Sequence, residues 1–322
     1  MKIVFMGTPE FACKPLEVLC QSKHEIVAVV TGDDKPQGRG KKIQSTAVCS
    51  AATCVNLKVI KTKSLKSDSL YEQLKALDAD IFIVIAFRIL PQKLIDIPRI
   101  GAINIHASLL PKYRGAAPIN WALVNGEKET GLTSFFLKKT VDTGDIILQK
   151  KLTILPNENF DSLHNRLSEI SGDFLLESLD LIETGNYELS TQDETQTSPA
   201  PKIKPFDALI DFGFPAEQIV NFVRGMSSRP GAYTFYNKKK LKVLSAIPVN
   251  RESIEPYINE LPRPGTVINV KKKLWVSCSD GAVEITQVQP EGKNVMDGKS
   301  YINGCRLQCG ALFGENTQEV KE

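Results

Sequence analysis

Ile81-Phe82-Ile83-Val84-Ile85-Ala86 is apolar without a break. A strand with one wet face alternates apolar and polar residues. An unbroken apolar run of this length fits a strand covered on both faces, as in parallel sheets flanked by helices. The neighbouring sequence repeats the theme. Residues 2–6 form a strand pattern ending at the turn Gly7-Thr8-Pro9, followed by a helical pattern to about Cys20. Further strands are expected over 25–30, 58–60 and 101–105, with helical periodicity between them, for example from Ser67 to Leu77. Short strands alternating with helices predict an open, mostly parallel sheet with helices on both faces.

At 322 residues the chain is roughly twice the usual single-domain length, so two domains are expected. From Asn159 to Glu183, apolar residues at Phe160, Leu163, Leu167, Ile170, Phe174, Leu176, Leu179 and Ile182 describe a long amphipathic helix, with Gly185-Asn186 as its stop. The stretch Thr191 to Pro201 is polar and proline-punctuated, as in a linker. After one more helix near 215–224, short strand patterns over 232–236, 240–246, 265–270, 273–278 and 282–288 suggest a small barrel. The expected fold class is therefore α/β: a Rossmann-like, doubly wound, mostly parallel sheet over 1–188, a linker over 189–206, and a C-terminal small, OB-like β-barrel over 207–322.

Composition narrows the function classes. With 42% hydrophobic and 24% charged residues, the chain is neither disordered nor collagen-like. No apolar run approaches the ~18 residues of a membrane span, and Met1 to Gly7 is too short for a secretory leader. Seven cysteines, odd in number and without CxxC spacing, predict reduced thiols in a cytoplasmic protein rather than a disulfide framework or zinc site. From 203 to 322, 16 Lys and Arg stand against 13 Asp and Glu, so the whole net charge of +3 lies in the C-terminal third. Lys238-Lys239-Lys240-Leu241-Lys242 and Lys271-Lys272-Lys273 concentrate it. Charge alone leaves solvated strand ends and a phosphate-binding face equally open.

The first β-α turn, Gly7-Thr8-Pro9-Glu10-Phe11-Ala12, lacks the GxGxxG dinucleotide fingerprint, and no P-loop is present. Of three histidines, His24 reads as a surface or turn residue, and His164 lies inside the long helix. His106 ends the strand Ala102-Ile103-Asn104-Ile105, where reactive groups of parallel sheets gather. Asn104 and His106 are two apart and emerge on the same face. An amide can bond a developing oxyanion, and an imidazole can move protons near neutral pH. By itself the pair is equally compatible with a capped turn and a satisfied core histidine. Val141-Asp142-Thr143-Gly144-Asp145 reads in isolation as a hairpin turn.

Taken together, five segments closely resemble the methionyl-tRNA formyltransferase family within the folate-dependent formyltransferases. They are Gly7-Thr8-Pro9-Glu10-Phe11, Lys35-Pro36-Gln37-Gly38-Arg39-Gly40-Lys41-Lys42, Asn104-Ile105-His106-Ala107-Ser108-Leu109-Leu110-Pro111, Tyr113-Arg114-Gly115-Ala116-Ala117-Pro118 and Asp142-Thr143-Gly144-Asp145. The resemblance continues through Val223-Arg224-Gly225 and Pro230-Gly231-Ala232-Tyr233-Thr234. It implies formyl transfer from 10-formyltetrahydrofolate, a co-substrate, to the α-amine of methionyl initiator tRNA. Asn104, His106 and Asp142 are the implied catalytic residues. Ser108, Leu109, Leu110, Pro111 and Phe87 would border the folate, and Arg39, Lys41 and Lys42 would contact tRNA. No metal, nucleotide cofactor, membrane or obligatory protein partner is implied.

Some positions depart from the family pattern. Gly32-Asp33 stands where Gln-Pro is common, and Ala86-Phe87-Arg88-Ile89-Leu90-Pro91 is one residue shorter than usual. Three rivals are weighed. Glycinamide ribonucleotide formyltransferases share the triad without needing 203–322. Sugar-nucleotide formyltransferases share triad and barrel but typically lack the Gly38-Arg39-Gly40-Lys41-Lys42 loop. A non-catalytic RNA-binding module would not need an intact Asn104, His106 and Asp142.

Overall fold

The computed structural model describes residues 1–37, 42–271 and 273–314, with only the backbone described at 35–37 and 42. The chain divides into two compact units. The first comprises Met1–Pro118, Glu129–Ile154 and Leu163–Pro201, and the second comprises Ile119–Lys128, Leu155–Ser162 and the chain from Lys202 onward.

In the first unit a seven-stranded sheet is built from β1 (Lys2–Gly7), β2 (Glu25–Gly32), β5 (Val59–Thr62), β6 (Ile81–Ile85), β7 (Gly101–His106), β9 (Glu129–Phe136) and β10 (Ile146–Thr153), in the order β10-β9-β7-β6-β1-β2-β5. Strands β5, β2, β1, β6 and β7 pair in parallel, while β9 and β10 extend the sheet antiparallel. All five residues of β6 are buried, as its unbroken apolar sequence requires. Phe5 faces Ile83 in register and Val84 faces Asn104, which places Asn104 one strand from the sheet centre. Helices α1 (Cys13–Cys20), α2 (Ala47–Cys54), α3 (Asp68–Lys75), α4 (Gln92–Ile95) and α6 (Phe160–Thr184) complete this part. The short pairs β3 (Lys35–Gln37) with β4 (Lys42–Gln44), and β8 (Arg114–Gly115) with β11 (Pro199–Ala200), lie off the main sheet.

After β1 the chain winds outward to β2 and β5, then returns to β6 on the other side of β1. That reversal makes the carboxyl ends of β1 and β6 a topological switch point, where open α/β sheets form their binding crevice. Helix α6 shows the expected start and stop. Asn159 Oδ1 accepts from Ser162 N at 3.0 Å. At the other end Gly185 takes φ +68°, and Asn186 N donates to Leu181 O at 3.2 Å, a left-handed glycine terminus.

The second unit holds an antiparallel sheet of β12 (Tyr233–Tyr236), β13 (Lys239–Val249), β14 (Val267–Asn269), β15 (Leu274–Ser277) and β16 (Ala282–Pro290), ordered β12-β13-β16-β15-β14, with β17 (Met296–Asp297) paired to β16. Asn237 and Lys238 have φ of 49° and 62°, the mirror-image turn that joins tight hairpins. Register shifts around Ser245, where β13 crosses β16, bend the long strand and curl the sheet into the half-barrel form of the expected small barrel. Helices α5 (Pro118–Val124), α7 (Ala216–Met226), α8 (Arg251–Ile254) and α9 (Gly298–Cys305) surround it. Gly225 of α7 explains one motif of the sequence: a Cβ there would stand 2.7 Å from Val124 and 2.9 Å from the Asn120 carbonyl. Instead the Gly225 carbonyl accepts from Asn120 Nδ2 at 2.8 Å. Among the described residues no helix is long and apolar enough to cross a membrane, and the seven cysteines are unpaired.

Candidate active site

Asn104 and His106 project from one face of β7 near its carboxyl end. The residues opposite them on β9 are Phe135 and Thr133. His106 is 6% exposed. Its Nε2 lies 2.8 Å from the Tyr113 carbonyl. A carbonyl only accepts, so Nε2 carries the hydrogen and Nδ1 is the ring atom left for other work. Nδ1 faces Asp142 Oδ2 at 3.9 Å, beyond direct hydrogen bonding. Asp142 is itself 8% exposed and sits at φ +54°, a left-handed conformation uncommon outside glycine. Its Oδ2 accepts from Gly115 N at 2.9 Å. Asn104 Oδ1 is buried with no hydrogen-bond partner. An amide oxygen left without a donor at a strand end is costly for the fold and can accept an N–H from a reactant.

The structure therefore brings together the three residues expected to be catalytic. The hairpin-turn reading of Asp142 also holds, since the left-handed turn is what aims its carboxylate at His106. The turn is tight: a Cβ on Gly144 would collide with the Phe136 carbonyl. His24, read as a surface or turn residue, stands in the bend before β2 but is only 8% exposed, its Nδ1 3.3 Å from the Met1 amine. Burial, reinforced by that ammonium, lowers its pKa below the ordinary imidazole value. With Asp180 and Glu183 it forms a group of potential metal ligands. Lys23 already bridges both carboxylates there at 2.9 and 2.7 Å, at the amino edge of the sheet, away from the site. His164 packs edge-on against Phe11 at 5.3 Å, a structural role.

The segment 108–111 folds back over the same face of β9. Thr133 Oγ1 donates to the Ser108 carbonyl at 2.7 Å and accepts from Leu110 N at 3.1 Å. Gln149 Nε2 donates to the Leu110 carbonyl at 2.8 Å. Ser108 is buried, its Oγ donating to the Lys112 carbonyl at 2.7 Å. Leu110 is buried against Phe135 and Ile146. Leu109 and Pro111 are partly exposed and remain open to contact. Phe87 packs against the cluster of Leu65, Val84 and Leu90 at the end of β6. The shortened segment there is braced by Arg88, which donates to the Lys63 and Thr62 carbonyls at 2.8 and 2.9 Å and covers the Phe87 ring. Arg39 and Lys41 lie outside the described residues, and the side chain of Lys42 does too.

Two residues at the site were given no role by sequence, Arg114 having been noted only as part of a motif. Gln192 is 6% exposed and bonds the turn of Asp142, and Arg114 binds Gln192 and Glu194. Gln192 stands in the polar stretch read as linker, where nothing local distinguishes a buried glutamine from an exposed one. That stretch is fixed within the first unit: Tyr113 N donates to Ser198 Oγ at 2.9 Å and Arg114 N to the Ser198 carbonyl at 2.9 Å. In the second unit a cavity of about 470 Å³, lined in part by Trp121, Leu209, Phe214 and Phe222, contains none of the expected site residues.

Comparison with known proteins bears on this geometry directly. Residues 1–179 match the formyl transferase family and residues 202–306 its C-terminal domain. The chain is 39% identical over 316 residues to the methionyl-tRNA formyltransferase of Geobacter metallireducens, covering 98% of this chain and 99% of that one. Among solved structures it resembles HypX from Aquifex aeolicus in complex with tetrahydrofolic acid, with a TM-score of 0.62, 18% identity and 94% of this chain covered. The chain spans about half of that protein, 47% of its length. It also resembles the methionyl-tRNA formyltransferase from Clostridium thermocellum, with a TM-score of 0.55, 18% identity, and 78% of this chain and 94% of that one covered. These distant likenesses speak for the fold, and the full-length relative speaks for the family. With both of its units matched and Asn104, His106 and Asp142 gathered at a strand end, the chain belongs to the methionyl-tRNA formyltransferase family of formyl transferases.

Proposed function

We propose that this chain transfers the formyl group of 10-formyltetrahydrofolate to the α-amine of methionyl initiator tRNA. The observation that carries the reading is the 39% identity across 98% of the chain, which includes the second unit as well as the sheet. The amine nitrogen attacks the formyl carbon, and the bond from that carbon to the folate nitrogen breaks. The proton lost by the amine ends on the folate nitrogen. Asn104 donates from its amide to the oxyanion of the intermediate. His106, held by its Nε2–H on Tyr113, uses Nδ1 to donate to the same region and to return a proton to the leaving nitrogen. Asp142 takes the proton of the attacking amine, directly or through a bridging water. Leu109, Pro111 and Phe87 border the folate, with Ser108 and Leu110 shaping that edge from within. Residues 1–188 carry the reacting groups, 189–206 brace the Asp142 turn through Gln192 on the way to the second domain, and 207–322 hold the acceptor arm, in the cytoplasm.

The deciding assay offers the enzyme 10-formyltetrahydrofolate with methionyl initiator tRNA, an elongator methionyl-tRNA or an amino-sugar nucleotide. Formylation confined to the initiator is expected. Turnover of the sugar nucleotide in preference to tRNA would overturn the reading in favour of that rival chemistry.

The lysine runs are not uniform in the structure. Lys273 pairs with Glu284 at 2.9 Å, and Lys240 lies 3.6 Å over the Tyr233 ring. Lys238 and Lys239 are exposed at the hairpin between β12 and β13. Joint replacement of Lys238 and Lys239 by glutamine should weaken tRNA binding. It should also flatten the dependence of log K on log salt by on the order of 0.9 for each phosphate no longer neutralised. Arg39→Ala should raise KM for tRNA or lower kcat without altering folate affinity. An unchanged salt slope in the lysine variant would make that hairpin a solvated tip and leave tRNA binding to the Arg39 loop.

A further inference from the structure

Gln192 uses all four hydrogen-bonding positions of its side-chain amide inside the protein. Oε1 accepts from Arg114 Nε at 3.0 Å and Nη2 at 2.8 Å. Nε2 donates to the carbonyls of Asp142 at 2.9 Å and Gly144 at 2.8 Å. A guanidinium only donates, so the orientation of the amide is fixed by Arg114 rather than chosen. Arg114 is held in turn by Glu194, at 2.9 and 2.8 Å. The next residue, Gly115, donates its N–H to the Asp142 carboxylate. Glycine is required there because φ is +130° and a Cβ would stand 2.5 Å from the Ala200 carbonyl.

These hydrogen bonds close a ring. The backbone of Asp142 hangs from Gln192, Gln192 from Arg114, and Arg114 continues into the N–H that grips the Asp142 side chain. Asp142 needs such support, because its left-handed backbone is disfavoured for a residue with a Cβ. We propose that Gln192 is a positioning residue for formyl transfer: its amide, oriented by Arg114, holds the 142–144 turn so that Asp142 faces His106. The proposal rests on Asp142 acting in the reaction as described above. Gln192 itself touches neither substrate nor reacting atoms.

The test compares full-length Gln192→Glu, Gln192→Met, Asp142→Asn and the double variant Asp142→Asn/Gln192→Glu in steady-state formylation of methionyl initiator tRNA. Glutamate keeps a partner for Arg114 but removes both donors to the turn, and methionine removes every polar atom at similar length. Each folded single variant at 192 is expected to lose kcat by about 10²-fold, the scale of a small misplacement of a reacting group. KM for tRNA and for folate should stay within about threefold on the same argument. The double variant should be no slower than Asp142→Asn alone, because both changes disable one group. Wild-type kcat in either folded variant at 192 would overturn the proposal. So would a loss that multiplies on the Asp142→Asn background, or failure of both variants to fold, since either marks a general structural role. If Asp142→Asn itself keeps full turnover, the catalytic reading of Asp142 falls first. That result is recognisable without the Gln192 data.

Discussion

Replacing Asn104 by alanine is expected to lower kcat for formyl transfer by about 10²–10³-fold, the range for losing one preorganised oxyanion donor. The expectation comes from the amide's surroundings. Asn104 sits mid-register between Val84 and Phe135, so the strand fixes its backbone on both sides. Its Oδ1 is buried and unbonded. That oxygen can only accept, so the group that would meet a developing oxyanion is the Nδ2–H of the same amide, while the orphaned Oδ1 is open to an N–H of the attacking amine. Asn104→Asp sharpens the test, because it keeps the shape and replaces a donor with a charge of the wrong sign. Both variants should fold normally and bind folate, read by fluorescence titration. Near wild-type turnover in Asn104→Ala, at saturating folate and tRNA, would return Asn104 to a structural role.

The parts of the fold legible in sequence were those decided by neighbours along the chain. The unbroken apolar run at Ile81 to Ile85 became the fully buried β6. The apolar stripe and glycine stop of the long helix gave α6 within a residue or two of its expected ends. The short strands after residue 230 emerged as the curled antiparallel sheet. The antiparallel arm β9–β10 was harder, for a physical reason. Thr130, Thr133 and Ser134 are buried in β9 although their side chains are polar. Thr133 is satisfied by Ser108 and Ser134 by Ser178, partners 25 and 44 residues away. No window of local periodicity contains that information. Gln192 is the same case at longer range, bonded to Arg114 at a separation of 78 residues.

The site divides along the same line. Asn104 and His106 could be paired from their spacing of two on one strand, because pleating alone puts them on one face. Asp142 could not be joined to them without the family resemblance, since only the tertiary path through Gly115 brings its carboxylate to the imidazole. What no sequence reading supplied was the imidazole's orientation, which depends on the Tyr113 carbonyl seven residues on.

That orientation gives the strongest expectation. His106→Ala should reduce kcat by about 10³-fold, within the range for a residue that moves protons in the transition state. A bystander explanation has to be separated from it, because His106 is buried and its Nε2 bond helps seat the loop at Tyr113. Loss of that bond alone would cost about 1 kcal/mol of stability and lower activity only through a displaced loop. His106→Gln distinguishes the two. Its amide N–H can reach toward the Tyr113 carbonyl, yet it carries no group that titrates near neutral pH. If the ring works by proton transfer through Nδ1, the glutamine variant should regain thermal stability over alanine while its turnover stays at least about 10²-fold below wild type. Recovery of both stability and turnover in His106→Gln would mean that His106 holds the loop and nothing more. The oxyanion would then rest on Asn104, and the proton of the amine would pass to Asp142 without a ring beside it.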